Sequence, residues 1–211
     1  LVSILPETIE RILYLDCDML VLNSLTSLWE TQLNTNEING SVQDTITKTV
    51  SSKAYKNVSA VPNWQQLGLN MNDPYFNSGL LLIDINKWRE NMISQKVIDI
   101  TAQNFEHVLY FDQYGLNVVL RNKWKLLNTR YNSFSTQKKL DLNDIVILHF
   151  ISTKPTAFNY PYNYQVLFYH YLDHTKWSKK RGVEYKKMPK LFDGIIKKHP
   201  RLQSFVDNLL N

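Results

Sequence analysis

Residues 75–90 read YFNSGLLLIDINKWRE, and this stretch decides the fold. The run at 80–85 is apolar without alternation, as a strand buried on both faces requires. Asn86 is placed to cap the helix that follows, since its side chain can accept from an orphan amide. Trp88, Met92, Val97 and Ile98 then form much of the inward stripe. Working outward, a second helix is expected over 101–109. A third begins near Asp112, with Leu116, Val119 and Leu120 facing in. Upstream, 11–15 is a β-rich run ending at Asp16-Cys17-Asp18, followed by an apolar run at 19–22 and a turn or short helix at 24–29. Residues 31–61 are rich in Thr, Asn, Ser and Gln and suit loops around one weak strand at 38–42. A second buried strand spans 145–150. Strands alternating with helices indicate an α/β domain. In the tail, Leu202, Phe205, Val206, Leu209 and Leu210 recur at helical spacing.

With 211 residues, 44% hydrophobic and 20% charged, the chain can bury a sizeable core, and its composition excludes disorder. No apolar run approaches the roughly 18 to 20 residues of a membrane span. The single cysteine, Cys17, excludes an internal disulfide framework and a cysteine-built zinc site. No signal peptide is visible, and with Leu1 rather than Met at the start an N-terminus further upstream is the expectation. The net charge of +5 comes from residues 160–211, the preceding stretch being near neutral. A nucleic-acid binder would carry its charge across a folded face, and the tail has no reader motif, so nucleic acid is not an expected partner. The chain divides at this change of composition into 1–159 and a basic, aromatic, helical tail at 160–211.

Asp16 and Asp18 are two apart, and on an extended segment such residues point to one side. Both carboxylates can then meet one hard cation: magnesium, manganese or calcium. On the residues alone they read first as two solvated carboxylates at a strand end, and their place after a buried strand is what raises the metal reading. His149, in the second buried strand, reads by itself as a satisfied core residue. Beside two carboxylates, its imidazole favours manganese over calcium. Lys154, five residues on, can hold a phosphate as a point charge. Asp112 and Gln113 open a helix, where free amides favour polar ligands, although Asp112 also suits a plain N-cap. Asn77-Ser78-Gly79 reads as a turn before the buried strand.

RILYLDCDMLV, YFNSGLLLIDINKWREN, FDQYGLN, RYN and ILHF followed by KP stand in the order and approximate spacing of one family. Over residues 5–155 the chain resembles glycosyltransferase family 8, the retaining, metal-dependent family of bacterial galactosyl- and glucosyltransferases and of glycogenin. The resemblance implies a GT-A fold, a Rossmann-like α/β sandwich that uses a UDP-sugar and Mn2+, with Mg2+ as the alternative ion. It makes Asp16, Asp18 and His149 the metal ligands and Lys154 the contact to the donor diphosphate. Asn77, Asp112 and Gln113 match positions lining the donor-sugar site, the glutamine close to the reacting anomeric carbon, and Asp44 resembles another sugar-hydroxyl contact.

The activity implied is transfer of glucose or galactose from UDP-glucose or UDP-galactose to a saccharide, glycoprotein or lipid-linked acceptor in glycan biosynthesis. A non-catalytic or truncated sugar-nucleotide-binding module is the alternative. A divalent ion and Lys154 would stabilise charge on the leaving diphosphate. No carboxylate is an obvious nucleophile for double displacement, which favours front-face attack. The sequence departs from the family at Ser152, where glycine is common, at Thr156, where tryptophan is usual, and at Tyr114, where an acidic residue is usual. The family also carries a longer segment before its D-x-D strand, including the first strands. The expected whole is therefore an enzyme of about 290 residues. The basic tail, with Lys176, Trp177 and the residues after them, suits peripheral contact with an anionic membrane, which places the protein in the cytoplasm at the inner face.

Overall fold

The computed structural model describes residues 2–137, 139–157, 160 and 164–178. In chain order the elements are β1 (Arg11–Leu15), β2 (Met19–Val21), α1 (Thr26–Trp29), β3 (Asn39–Ser41), β4 (Leu80–Asp84), α2 (Ile85–Glu90), α3 (Ile93–Gln103), α4 (Phe111–Val119), β5 (Trp124–Leu126), β6 (Ser133–Phe134), β7 (Ile147–His149) and α5 (Gln165–Asp173). They form two compact units, one of Leu1–Asp16 and Leu25–Tyr131, the other of Cys17–Ser24 and Asn132–Asn211.

The first unit is built on a sheet ordered β1-β4-β3-β5. β4 lies inside it, and Leu80, Leu81, Leu82 and Ile83 are all buried. Its neighbours β1 and β3 both run antiparallel to it, while β3 and β5 are parallel. The sheet is therefore mixed, although β4 is a continuous apolar run. Such a run reports burial on two faces, and direction is set by the connections. Phe76, Leu81, Ile83, Ile85, Trp88, Ile93, Leu116 and Leu120 form one core cluster. Each such side chain contributes about 1.5–3 kcal/mol when fully buried.

Two local expectations are corrected. The cap of α2 is Asp84, whose Oδ1 accepts from Lys87 N at 3.0 Å, while Asn86 lies exposed inside the helix. The helix starts as soon as the strand ends, two residues earlier than a cap at Asn86 requires. The inward stripe also breaks, because Met92 takes a left-handed backbone (φ 51°) that ends α2 and starts α3 in a new phase. Met92 and Ile98 are exposed as a result, and Trp88 and Ile93 carry the burial. In place of a helix over 101–109, α3 ends at Gln103 and a single 3-10 turn follows at Phe105–His107.

Between β3 and β4 the chain makes a long excursion, pinned by the bridges Gln43↔Phe76 and Thr49↔Pro74. It has its own apolar cluster of Val50, Ala60, Val61, Leu69 and Tyr75, closed by Tyr114 from α4.

The second unit has the sheet order β2-β7-β6. β2 is antiparallel to β7 and β6 is parallel to it, with Met19↔His149 and Phe134↔His149 as partners. Leu22, Leu142, Ile145, Leu148 and Phe150 pack with Tyr164 and Leu167 beside and on α5. The helix expected in the tail, and most of its basic cluster, lie outside the described residues. No described helix is long and apolar enough to cross a membrane.

Candidate metal and donor site

In the second unit the β2–β7 ladder does the placing. Met19 pairs with His149, so Asp18, one residue earlier, arrives beside the imidazole. Phe150 N donates to Asp18 O at 2.9 Å and fixes that register. His149 Nε2 lies 3.2 Å from Asp18 Oδ1. The other ring nitrogen, Nδ1, is 2.9 Å from Asn132 Oδ1, and the Phe134 ring meets the imidazole edge to face. Lys154 Nζ donates to Asp18 Oδ2 and to Phe150 O, the latter at 3.0 Å. Burial opposes ionisation of Asp18, but its bonds to His149 and Lys154 outweigh it, and the carboxyl is held well below the usual range. Between His149 and Lys154 the chain needs a left-handed residue, and Ser152 supplies it at φ 61°. That geometry is why glycine serves so well there.

Asp16 and Asp18 converge through a turn at Cys17-Asp18, where an extended segment was expected. One ligand atom from each of Asp16, Asp18 and His149 lies within 4.8 Å of the other two. Two carboxylate oxygens and one imidazole nitrogen so close together suit a divalent ion of the manganese or magnesium type.

In the first unit, Asp16 follows β1, with its N–H donating to Gly79 O at 2.8 Å and its Oδ1 accepting from Tyr14 Oη at 2.8 Å. Gln113, buried on α4, turns its Oε1 to the segment before β4. It accepts from Ser78 N at 3.0 Å and from Asn77 Nδ2 at 3.2 Å. A backbone N–H can only donate, so the oxygen end of the Gln113 amide is the one that meets Ser78. Asp44 Oδ1 ties down its own turn by accepting from Ile46 N (2.9 Å) and Thr47 N (2.7 Å), and its Oδ2 is 3.5 Å from Asn77 Nδ2. Asp44, Asn77 and Gln113 are thus brought together.

Asp112 is not the cap of α4. It sits in the first turn, after Phe111 at φ 23°, with Tyr110 in the cap position. It lines a cavity of about 290 Å³ with Tyr14, Leu81, Trp88 and Leu116. Burial raises its pKa, and the Asp16 charge adds to the rise.

Three residues that serve this region were not singled out from sequence: Tyr14, Asn117 and Asn132. The last two stand in FDQYGLN and RYN, but an asparagine carries no sign of a partner 41 or 17 residues away.

The model of the family "Glycosyl transferase family 8" matches residues 1–179. The chain belongs to this family. It is 28% identical over 191 residues to General stress protein A of Bacillus subtilis (strain 168), covering 82% of this chain and 62% of that one. It is 28% identical over 166 residues to the lipopolysaccharide 1,2-glucosyltransferase of Escherichia coli (strain K12), covering 72% and 46%. The crystal structure of galactosyltransferase LgtC with donor and acceptor sugar analogs superposes with a TM-score of 0.56 at 25% identity, covering 73% of this chain and 57% of LgtC. The chain spans about half to three-fifths of these relatives. Its architecture is the GT-A α/β fold of family 8, as the motifs implied.

Proposed function

We propose that this family 8 chain belongs to a retaining hexosyltransferase moving glucose or galactose from a UDP-sugar to a saccharide, glycoprotein or lipid-linked acceptor. The observation that carries this reading is the convergence of Asp16, Asp18 and His149, with Lys154 on Asp18. This donor set would hold Mn2+, or Mg2+ in its place. A bound ion there supplies Lewis-acid stabilisation to the diphosphate that leaves.

The remaining work falls to this chain's own side chains. Lys154 is half-exposed and reaches Asp18 by its long stem, so it can transfer its charge to a phosphate oxygen. Asp44, Asn77 and Gln113 would offer hydrogen bonds to sugar hydroxyls. Asp44 Oδ1 is already engaged by two backbone N–H groups, which weakens its case as a covalent nucleophile. That favours front-face attack on the donor, with the leaving phosphate taking the acceptor's proton. The basic side chains of residues 176–190 would hold the enzyme against an anionic membrane on the cytoplasmic side, near lipid-linked acceptors.

The test is hydrolysis of UDP-glucose and UDP-galactose with and without Mn2+. Turnover should require the ion and should be abolished in Asp18→Asn, which removes one anionic ligand while keeping the shape. Metal-dependent binding of UDP-sugar without turnover would mark a non-catalytic module. Full activity of Asp18→Asn in chelator-treated buffer would sink the reading.

A further inference from the structure

We infer that Asn132 is the positioning residue of this site: it keeps the proton on His149 Nδ1 and so reserves Nε2 for the ion. The inference rests on the metal-site reading above. Asn132 is fully buried, and its Oδ1 stands 2.9 Å from Nδ1. An amide oxygen can only accept, so the ring must donate there. That leaves Nε2 as the nitrogen on the Asp18 side, 3.2 Å from the carboxylate. With the ring held between Asn132 and the edge-to-face Phe134, neither rotation nor a ring flip is free. Metal-binding histidines generally depend on such an outer partner to fix tautomer and orientation.

The fold delivers Asn132 for this purpose. It precedes β6, whose Phe134 pairs with His149 in the parallel ladder, so the amide lies alongside the ring. The neutral amide also has a chemical consequence. It accepts the Nδ1 proton without adding a negative charge to a site that already holds two carboxylates. An aspartate would accept equally well, whereas alanine would leave the choice of tautomer to Asp18, which favours a proton on Nε2.

Two measurements test this. Nitrogen-15 NMR of the metal-free protein should show a proton on His149 Nδ1, slow to exchange and close to the Asn132 side chain. Mn2+ titration should show affinity falling about 10- to 100-fold in Asn132→Ala and largely restored in Asn132→Asp. A bare Nδ1 in the unsubstituted protein would overturn the inference without need of any variant. So would a folded Asn132→Ala that binds Mn2+ as tightly as the parent. Should the parent bind no Mn2+ at all, the metal reading fails, while the NMR result still reports on the Asn132–His149 bond.

Discussion

Asn117 grips the backbone of Phe76 at both of its polar groups. Its Oδ1 accepts from Phe76 N at 2.8 Å and its Nδ2 donates to Phe76 O at 2.9 Å. The same nitrogen donates to Gln113 O, one turn back on α4. The clamp therefore locks the Asn77-Ser78 segment to the helix that carries Gln113. Asn117→Ala would leave a buried N–H and a buried C=O without partners, a loss of about 2–4 kcal/mol. Urea unfolding should show it as a lower midpoint with an unchanged slope. A midpoint equal to the parent's would mean that the clamp is dispensable.

Gly115 faces α3 with no room for a methyl group. A Cβ would collide with Thr101 Oγ1 and stand 3.0 Å from Val97 Cγ1 and 3.1 Å from Val97 O. One of those neighbours is backbone, so the helices themselves must separate. Gly115→Ala gains helix propensity of about 1 kcal/mol but should lose about 1–3 kcal/mol to overpacking. The net effect expected in calorimetry is a lower Tm, and a rise would refute the tight approach.

Ser152 tests the left-handed turn between His149 and Lys154. Ser152→Gly removes the strain but enlarges the entropy of the unfolded chain, so its stability should stay within about 0.5 kcal/mol of the parent. Ser152→Val cannot adopt φ 61° cheaply and should cost about 1–2 kcal/mol. Equal unfolding midpoints for the two variants would contradict the assigned geometry.

Asp112 gives a pH dependence with a definite sign. Its folded pKa is raised, by burial first and by Asp16 next, above a reference value of 3.8. Between those two values the unfolded chain has already released a proton that the folded chain keeps. Stability contributed by this group therefore falls as pH rises through that window and stays lower above it. Asp112→Asn should be more stable than the parent at pH 7, and the advantage should vanish below the reference value. An advantage that persists unchanged in acid would point to packing rather than charge.

The sequence was most legible where one residue type has one physical use. The apolar runs around Leu82 and Leu148 could only be buried strands, and FDQYGLN could only open a helix. Residue types suited to a divalent ion were equally visible in Asp16, Asp18 and His149. What stayed hidden depended on competition or distance. Asp84 and Asn86 are both good caps, and only the point where β4 ends chooses between them. Met92 has no turn signature, yet it takes the left-handed backbone that resets the helix. The turn that joins Asp16 to Asp18 follows from ladders on either side of it, which no local pattern reveals.

The excursion between β3 and β4 begins and ends at Asp44 and Asn77. Asp44 N donates to Tyr75 O at 2.9 Å and Asn77 N donates to Val42 O at 3.1 Å, so its two stems are stapled to each other. The exposed parts beyond the staples, where Tyr55 and Met71 stand, can change composition while the buried cluster and the stems keep Asp44 and Asn77 in place. The molecule thus carries a variable outer surface next to the fixed pair that the proposed function assigns to the donor sugar. In such an arrangement, acceptor range can diversify by drift or by grafting, without renegotiating the chemistry it serves.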